Sequence, residues 1–167
     1  SDLSRDAVSE LMREGESQNT LASYHSALRY WTAWYGLRYG GAIQLPLPVA
    51  CVLQFVVDHA QRMTARGLAH ELPLDIDQAL VAGGYKGKLG AMAHNTLVHR
   101  VAVMSKAHQL RQLSNPCQDA QVRELLSRTR KAYAKRGALP RKKAALTKDP
   151  LQALLATCDD SLRGKRD

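Results

Sequence analysis

Apolar residues recur at intervals of three and four along most of this chain, and this spacing restricts the folds that it can adopt. One stripe, within residues 18–38, comprises Leu21, Tyr24, Leu28, Trp31 and Tyr35. Another, within residues 95–113, comprises Leu97, Val101, Met104 and His108. A third, within residues 119–135, comprises Val122, Leu125, Leu126, Thr129 and Tyr133. A period near 3.6 residues is typical of amphipathic helices, and no segment shows the convincing alternation of a half-buried strand. The sequence therefore predicts an all-α fold.

Helix-start and helix-stop residues divide this pattern into separate elements. The predicted helices cover residues 5–14 after Ser4, residues 18–38 after Ser17, a segment from Pro48 to Met63, and residues 75–81, 95–113 and 119–135. Residues 64–93 form a less regular insertion around the short 75–81 helix. We expect a compact bundle of four to five main helices over residues 1–134. A basic linker over 135–148 follows, and one further helix from Asp149 begins a second domain over 149–167.

Charge is sorted along the chain. Residues 85–148 hold 15 Lys and Arg against 2 Asp and Glu, whereas residues 1–84 hold 6 against 9. A concentrated basic region binds polyanions because neutralised phosphates release condensed counterions. The distribution favours a nucleic-acid partner, and the alternative is a solvated basic surface that aids solubility.

The sequence lacks the usual signatures of catalytic and metal sites. The three cysteines form no C-x-x-C pair, and the six histidines include no i, i+4 pair. Phosphate-binding glycine loops and nucleophile elbows are also missing. No apolar run approaches the roughly 20 residues that cross a bilayer. These features predict a binding module without metal or cofactor, in a soluble cytoplasmic protein with no membrane partner.

Four runs of sequence share their order and spacing with one known family. They are S-Q-N-T-L-A-S-Y-H-S-A-L-R-Y-W at 17–31, N-T-L-V-H-R-V-A-V-M at 95–104, L-L-S-R-T-R-K at 125–131 and R-K-K-A-A-L-T-K-D-P-L at 141–151. The first three resemble helices of the core-binding domain of tyrosine recombinases, the phage-integrase and Cre-like family. The last resembles the family's interdomain linker and first catalytic-domain helix. The 64–93 insertion departs from the resemblance, because close relatives of Cre have a short turn there.

This resemblance implies a SAM-like helical domain that grips double-stranded DNA together with a larger catalytic domain. In the family, a tyrosine attacks a phosphodiester, and strands exchange within a tetramer on DNA without an obligatory metal. The first catalytic arginine is expected about one helix beyond the end of this chain. The chain is therefore expected to carry no catalytic residue itself. It resembles the DNA-binding portion of a site-specific recombinase of bacterial or mobile-element origin, a monomer or dimer as a fragment.

Two predicted helix starts supply candidate DNA contacts. Helix N-termini offer unpaired amides and a positive dipole to phosphates, and in the family these two helices present their starts to the major groove. The candidate residues are Asn19, Thr20, Ser23, Asn95, Thr96, His99 and Arg100. Asn and Arg side chains have the geometry to read adenine and guanine edges. The alternative, strongest for Asn95 and Thr96, is that these residues only cap helices.

A run of cations without an acid closes the predicted 119–135 helix and continues into the linker. The candidates for phosphate contact are Arg128, Arg130, Lys131, Arg141, Lys142 and Lys143. For the first three, the alternative is that they complement the dipole at the helix C-terminus. The linker residues are expected to follow the phosphates of the duplex. Lys86 and Lys88, in a glycine-rich loop, are expected either to reach a flanking phosphate or to remain solvated.

Two other functions remain open from the sequence. A non-enzymatic regulator of the helix-turn-helix type would read DNA mainly through the helix that begins near Asn95. A helical module for RNA or a protein partner would bind those ligands in preference to duplex DNA.

Two side chains carry further expectations about packing. Trp34 lies off the apolar stripe of its helix and is a candidate for contact with another protomer. His108 lies on an apolar stripe and is expected in the core with its ring hydrogen-bonded.

Overall fold

The computed structural model describes residues 2–15 and 18–140 of the 167-residue chain. Its α-helices are α1 (Asp2–Glu14), α2 (Gln18–Tyr39), α3 (Val49–His59), α4 (Leu74–Ala82), α5 (His94–Leu110) and α6 (Ala120–Lys135). Two strands between α3 and α4, β1 (Arg62–Thr64) and β2 (Gly67–Ala69), pair as an antiparallel hairpin. A short 3-10 turn, Pro116–Gln118, precedes α6. The described part of the chain is therefore mainly helical, and none of its helices is long and apolar enough to cross a bilayer.

Most helix boundaries lie within three residues of those predicted from the sequence. α1 begins at Asp2, so Ser4 lies inside the helix and not at its N-cap. α5 ends at Leu110 rather than at residue 113. The larger difference is α3, which ends at His59, so that Met63 falls in β1 with 62% of its surface exposed. Ser17 and the helix predicted from Asp149 lie outside the described residues.

The 64–93 insertion contains more structure than one short helix. α4 confirms the helix predicted at 75–81, but the preceding hairpin was not predicted. Met63 faces Leu68 across the two strands. Strands of three residues are too short for alternation to be visible in a sequence.

The face that α2 turns to the core overlaps the predicted stripe, because Leu28 and Tyr35 pack against the core, but it is shifted toward Tyr30 and Trp34. Its buried residues are Ala27, Tyr30, Trp31 and Trp34. Of the predicted stripe only Trp31 is fully buried, while Tyr24, Leu28 and Tyr35 are half-buried. Trp31 stacks on Phe55 of α3, with the ring centroids 3.7 Å apart. The aromatic core therefore lies between α2 and α3.

Trp34 is a core residue, so its predicted contact with another protomer is wrong. The side chain is fully buried, and its indole Nε1 donates to Asp58 Oδ2 at 2.9 Å. Asp58 is also buried, and its other oxygen accepts from Arg38 Nη2 at 3.0 Å and Gln54 Nε2 at 2.7 Å. The hydrogen bonds from these partners offset the cost of removing the carboxylate from water, and they tie α2 to α3. The sequence spacing does not reveal this pairing.

Two fully buried histidines hold neighbouring elements by the same geometry. His59 bonds through Nδ1 to the Phe55 carbonyl at 2.7 Å and through Nε2 to the Tyr30 hydroxyl at 2.6 Å. His108 bonds through Nδ1 to the Met104 carbonyl at 2.8 Å, and its Nε2 accepts from the Leu47 amide at 3.0 Å. The prediction of His108 as a satisfied core histidine is confirmed. In each ring an Nδ1–H that donates to a carbonyl leaves Nε2 as the acceptor of the neutral form.

Lowering the pH should destabilise the fold through His59. Burial lowers the pKa of His59 from 6.5 to about 3. The unfolded residue takes up a proton that the folded residue excludes. The contribution of His59 to the free energy of unfolding therefore falls by about 1.4 kcal/mol per pH unit as the pH drops from about 6.5 towards 3. Urea unfolding at about pH 7.5 and about pH 5 measures this slope.

The matched variants are His59→Gln and His25→Gln, since His25 is exposed. His59→Gln should lower stability at neutral pH but remove this part of the pH dependence. His25→Gln should leave the dependence as it is. An unchanged slope in His59→Gln would contradict the assignment.

Candidate nucleic-acid interface

The structure links α2 and α5 at a point five residues into each helix. Ser23 Oγ lies 2.8 Å from His99 Nε2, so a direct hydrogen bond joins the two helices one turn from their first residues. Trp31 Nε1 donates to the Arg100 carbonyl at 2.9 Å and anchors the same pair of helices from the core side. Two candidate residues separated by 76 positions in the sequence, Ser23 and His99, are therefore in direct contact.

Asn95 and Thr96 do not cap α5. The helix begins at His94, and its N-cap is Ala93, which has an extended backbone and no side chain that could cap. Asn95 and Thr96 thus lie within the first turn, half-buried. Capping, the alternative reading of these two residues, is wrong, and their side chains are not consumed by the first-turn amides.

Asn19 and Thr20 occupy the corresponding turn of α2. The helix begins at Gln18, so both residues lie in its first turn, and both are exposed. Ser23, one turn further on, is exposed as well and reaches His99. The first turns of both helices therefore carry uncharged polar side chains.

His99 acts as a neutral hydrogen-bonding group at this junction. Burial lowers the pKa of His99, and the positive charge of Arg100 lowers it further. The imidazole is therefore uncharged at neutral pH, and either tautomer can bond to the Ser23 hydroxyl.

Arg100 is a half-buried cation near this junction. Its guanidinium carbon lies 4.0 Å from the centroid of the Tyr30 ring, and Nη1 lies 3.9 Å from Met92 Sδ. Burial lowers the pKa of Arg100, although an arginine remains charged in proteins. No carboxylate among residues 2–15 and 18–140 pairs with it. A stacked guanidinium without an acidic partner retains donors for an external acceptor.

Tyr30 is the residue of this site that the sequence reasoning missed. Tyr30 is 1% exposed and its hydroxyl bonds to His59. The Arg100 guanidinium lies over its ring. Burial raises the pKa of Tyr30, so the hydroxyl stays protonated. The available signal was a second helical stripe, comprising Ala27, Tyr30, Trp31 and Trp34.

α6 carries three of the remaining candidate cations. Its inward face buries Val122, Thr129 and Tyr133, in agreement with the predicted stripe. Arg128, Arg130 and Lys131 are exposed, and Arg128 pairs with Glu124, which offsets one of the charges. Such an exposed pair contributes little to stability. Arg141, Lys142 and Lys143 lie outside the described residues.

Lys86 is neither solvated nor free to reach a phosphate, so both predictions for it are wrong. Its side chain is 6% exposed, and Nζ lies 2.6 Å from Asp77 Oδ1. It also donates to the Gly90 carbonyl. Lys88, two residues later, is exposed.

The described residues contain no group of three or more His, Cys, Asp or Glu arranged to hold a metal ion. No protein-family model matches this chain, and neither a curated protein nor a solved structure does. Function is therefore inferred from the residues themselves and from their arrangement.

Proposed function

We propose that this chain is the duplex-gripping portion of a tyrosine-type site-specific recombinase, with a SAM-like core-binding domain. The observation that carries this proposal is the Ser23–His99 hydrogen bond, which links two helices that each begin with a polar first turn. Helix starts present amides and a positive dipole to phosphates, and a pair of them can enter one groove of a duplex.

The two kinds of cation suit two kinds of contact. Arg100 is stacked and half-buried, so its donors are held in a defined direction, as recognition of a guanine edge requires. The exposed Lys131 and Arg130 suit phosphates, which need charge more than geometry. The run Arg141, Lys142 and Lys143 would continue those phosphate contacts along the duplex.

The chemistry of strand exchange is assigned to a catalytic domain, the beginning of which the 141–151 run resembles. In this proposal the described domain holds and orients the duplex, and tetramers assemble on DNA through the whole recombinase. Cleavage and rejoining belong to residues outside this domain.

The junction of two helices favours this proposal over a helix-turn-helix regulator. A regulator that reads DNA through one recognition helix would depend on α5 alone. Here, Asn19 and Thr20 of α2 are exposed in the turn next to the one that bonds to α5.

Binding of the full chain to a duplex should weaken steeply as salt rises. Replacing Arg141, Lys142 and Lys143 by alanine should reduce the slope of log K against log salt by about 2–3, because each lost phosphate contact removes about 0.9. Arg66→Ala, at an exposed cation in the hairpin turn, is the control and should leave the slope unchanged. Absence of duplex binding even at low salt would overturn the proposed function.

The starts of both helices should matter for affinity. The pair Asn19→Ala with Thr20→Ala should weaken duplex binding by about 1–3 kcal/mol, and so should Asn95→Ala with Thr96→Ala. Titration of a labelled duplex measures both, with Gln78→Ala on the exposed side of α4 as control. Loss confined to the α5 pair would favour the regulator.

Arg100 should determine sequence preference. Arg100→Lys keeps the charge but loses the planar fork and its stack on Tyr30, so discrimination at one base pair should fall by about 1–3 kcal/mol. Lys131→Ala should instead weaken all sequences alike and lower the salt slope by about 1. Dissociation constants for a set of single-base duplex variants distinguish these patterns. Equal loss on every duplex in Arg100→Lys would show that Arg100 contacts phosphate.

A further inference from the structure

The 64–93 insertion leads directly into the start of α5, and the core holds both ends of it. It begins at the last residue of β1, contains β2 and α4, and ends next to His94. The Tyr133 hydroxyl of α6 accepts from the Gln61 amide and donates to the Met92 carbonyl, each at 2.8 Å. The Tyr133 side chain therefore joins the residues just before the insertion to the end of the insertion.

Within the insertion, a clasp made of Asp77, Lys86 and Gly90 closes the loop after α4. The Asp77 carboxylate takes the Lys86 ammonium at 2.6 Å on Oδ1 and the Gly90 amide at 2.9 Å on Oδ2. Lys86 also donates to the Gly90 carbonyl. The Asp77 and Lys86 side chains are 2% and 6% exposed. Gly90 has φ +112°, a conformation that other residues rarely adopt.

The segment that the clasp holds ends at Met92, next to the residues that contact Arg100. The Met92 amide donates to the His59 carbonyl at 2.8 Å, and Met92 Sδ lies 3.9 Å from Arg100 Nη1. The His59 ring bonds to Tyr30, whose ring carries the Arg100 guanidinium. Met92 therefore contacts Arg100 through its sulfur and His59 through its backbone amide, and His59 in turn bonds to Tyr30.

We infer that residues 64–93 form a brace that positions Arg100 and the first turn of α5 for base recognition, locked by the Asp77–Lys86–Gly90 clasp. A buried ion pair contributes little net stability after desolvation, but its partners restrict the loop to one arrangement. Asp77, Lys86 and Gly90 are positioning residues, since they act on DNA through Met92 and Arg100. The inference rests on the proposed DNA-binding function.

Two matched pairs of variants of the full chain test the brace. Gly90→Ala strains the backbone, although the added methyl meets nothing within 4 Å, and Gly87→Ala adds a methyl to open space in the same loop without a positive φ. Asp77→Asn weakens the clasp, whereas Asp75→Asn changes an exposed carboxylate on the same helix.

The probes are a duplex enriched by the wild-type chain from a random pool and a scrambled duplex of the same composition. Gly90→Ala and Asp77→Asn should reduce the ratio of the two dissociation constants by about fivefold or more, with an unchanged salt slope, because phosphate contacts are kept. In the two control variants, Gly87→Ala and Asp75→Asn, this ratio should stay within about twofold of the wild-type value. In an Arg100→Lys background the clasp variants should cost no further discrimination.

A lowered melting temperature with an unchanged ratio would show that the clasp only stabilises the fold, and would overturn the inference. Failure of the wild-type chain to enrich any duplex would overturn the proposed function instead.

Amide exchange tests the brace without DNA. Asp77→Asn should speed exchange at Leu97 in the first turn of α5 about tenfold, but not at Arg123 in the first turn of α6. Equal protection at Leu97 in both proteins would contradict the brace.

Discussion

The packing of α2 against α5 is the contact on which the rest of the structure depends. Trp31 anchors it from the core, because its indole nitrogen donates to the Arg100 carbonyl of α5 while its ring stacks on Phe55 of α3. Ser23 and His99 close the same contact at the surface. The core contact of Trp31 and the surface contact of Ser23 with His99 together fix how α2 lies against α5, and so determine where their polar first turns lie.

Buried polar groups make this packing unique. The rings of His59 and His108 and the carboxylates of Asp58 and Asp77 all lie inside, where an unpaired polar atom costs roughly 1–3 kcal/mol. Each is hydrogen-bonded to a partner on another helix or in a loop. An alternative packing would leave these groups unpaired, so the set defines one arrangement more strongly than apolar contacts alone could.

The sequence predicted the helical class and the inward faces of α5 and α6, where apolar residues occupy a single stripe. It failed where two stripes compete. In α2 the buried face includes Trp34, and the reason is Asp58, a residue brought near only by the fold. The candidate residues at the helix starts were identified, but their union through Ser23 and His99 was not. Lys86 was misread because no local pattern shows that Asp77 and Gly90 enclose it. Contacts between distant segments lie beyond periodicity and spacing.

The central claim is that one surface, made from the starts of α2 and α5, lies against a DNA duplex. An amide-resolved NMR titration of the full chain with a short duplex tests it most directly. The account predicts that the amides of Asn19, Thr20, Asn95 and Thr96 shift together, with the same dependence on duplex concentration. Shifts confined to α6, with the first turns of α2 and α5 unmoved at saturation, would contradict it.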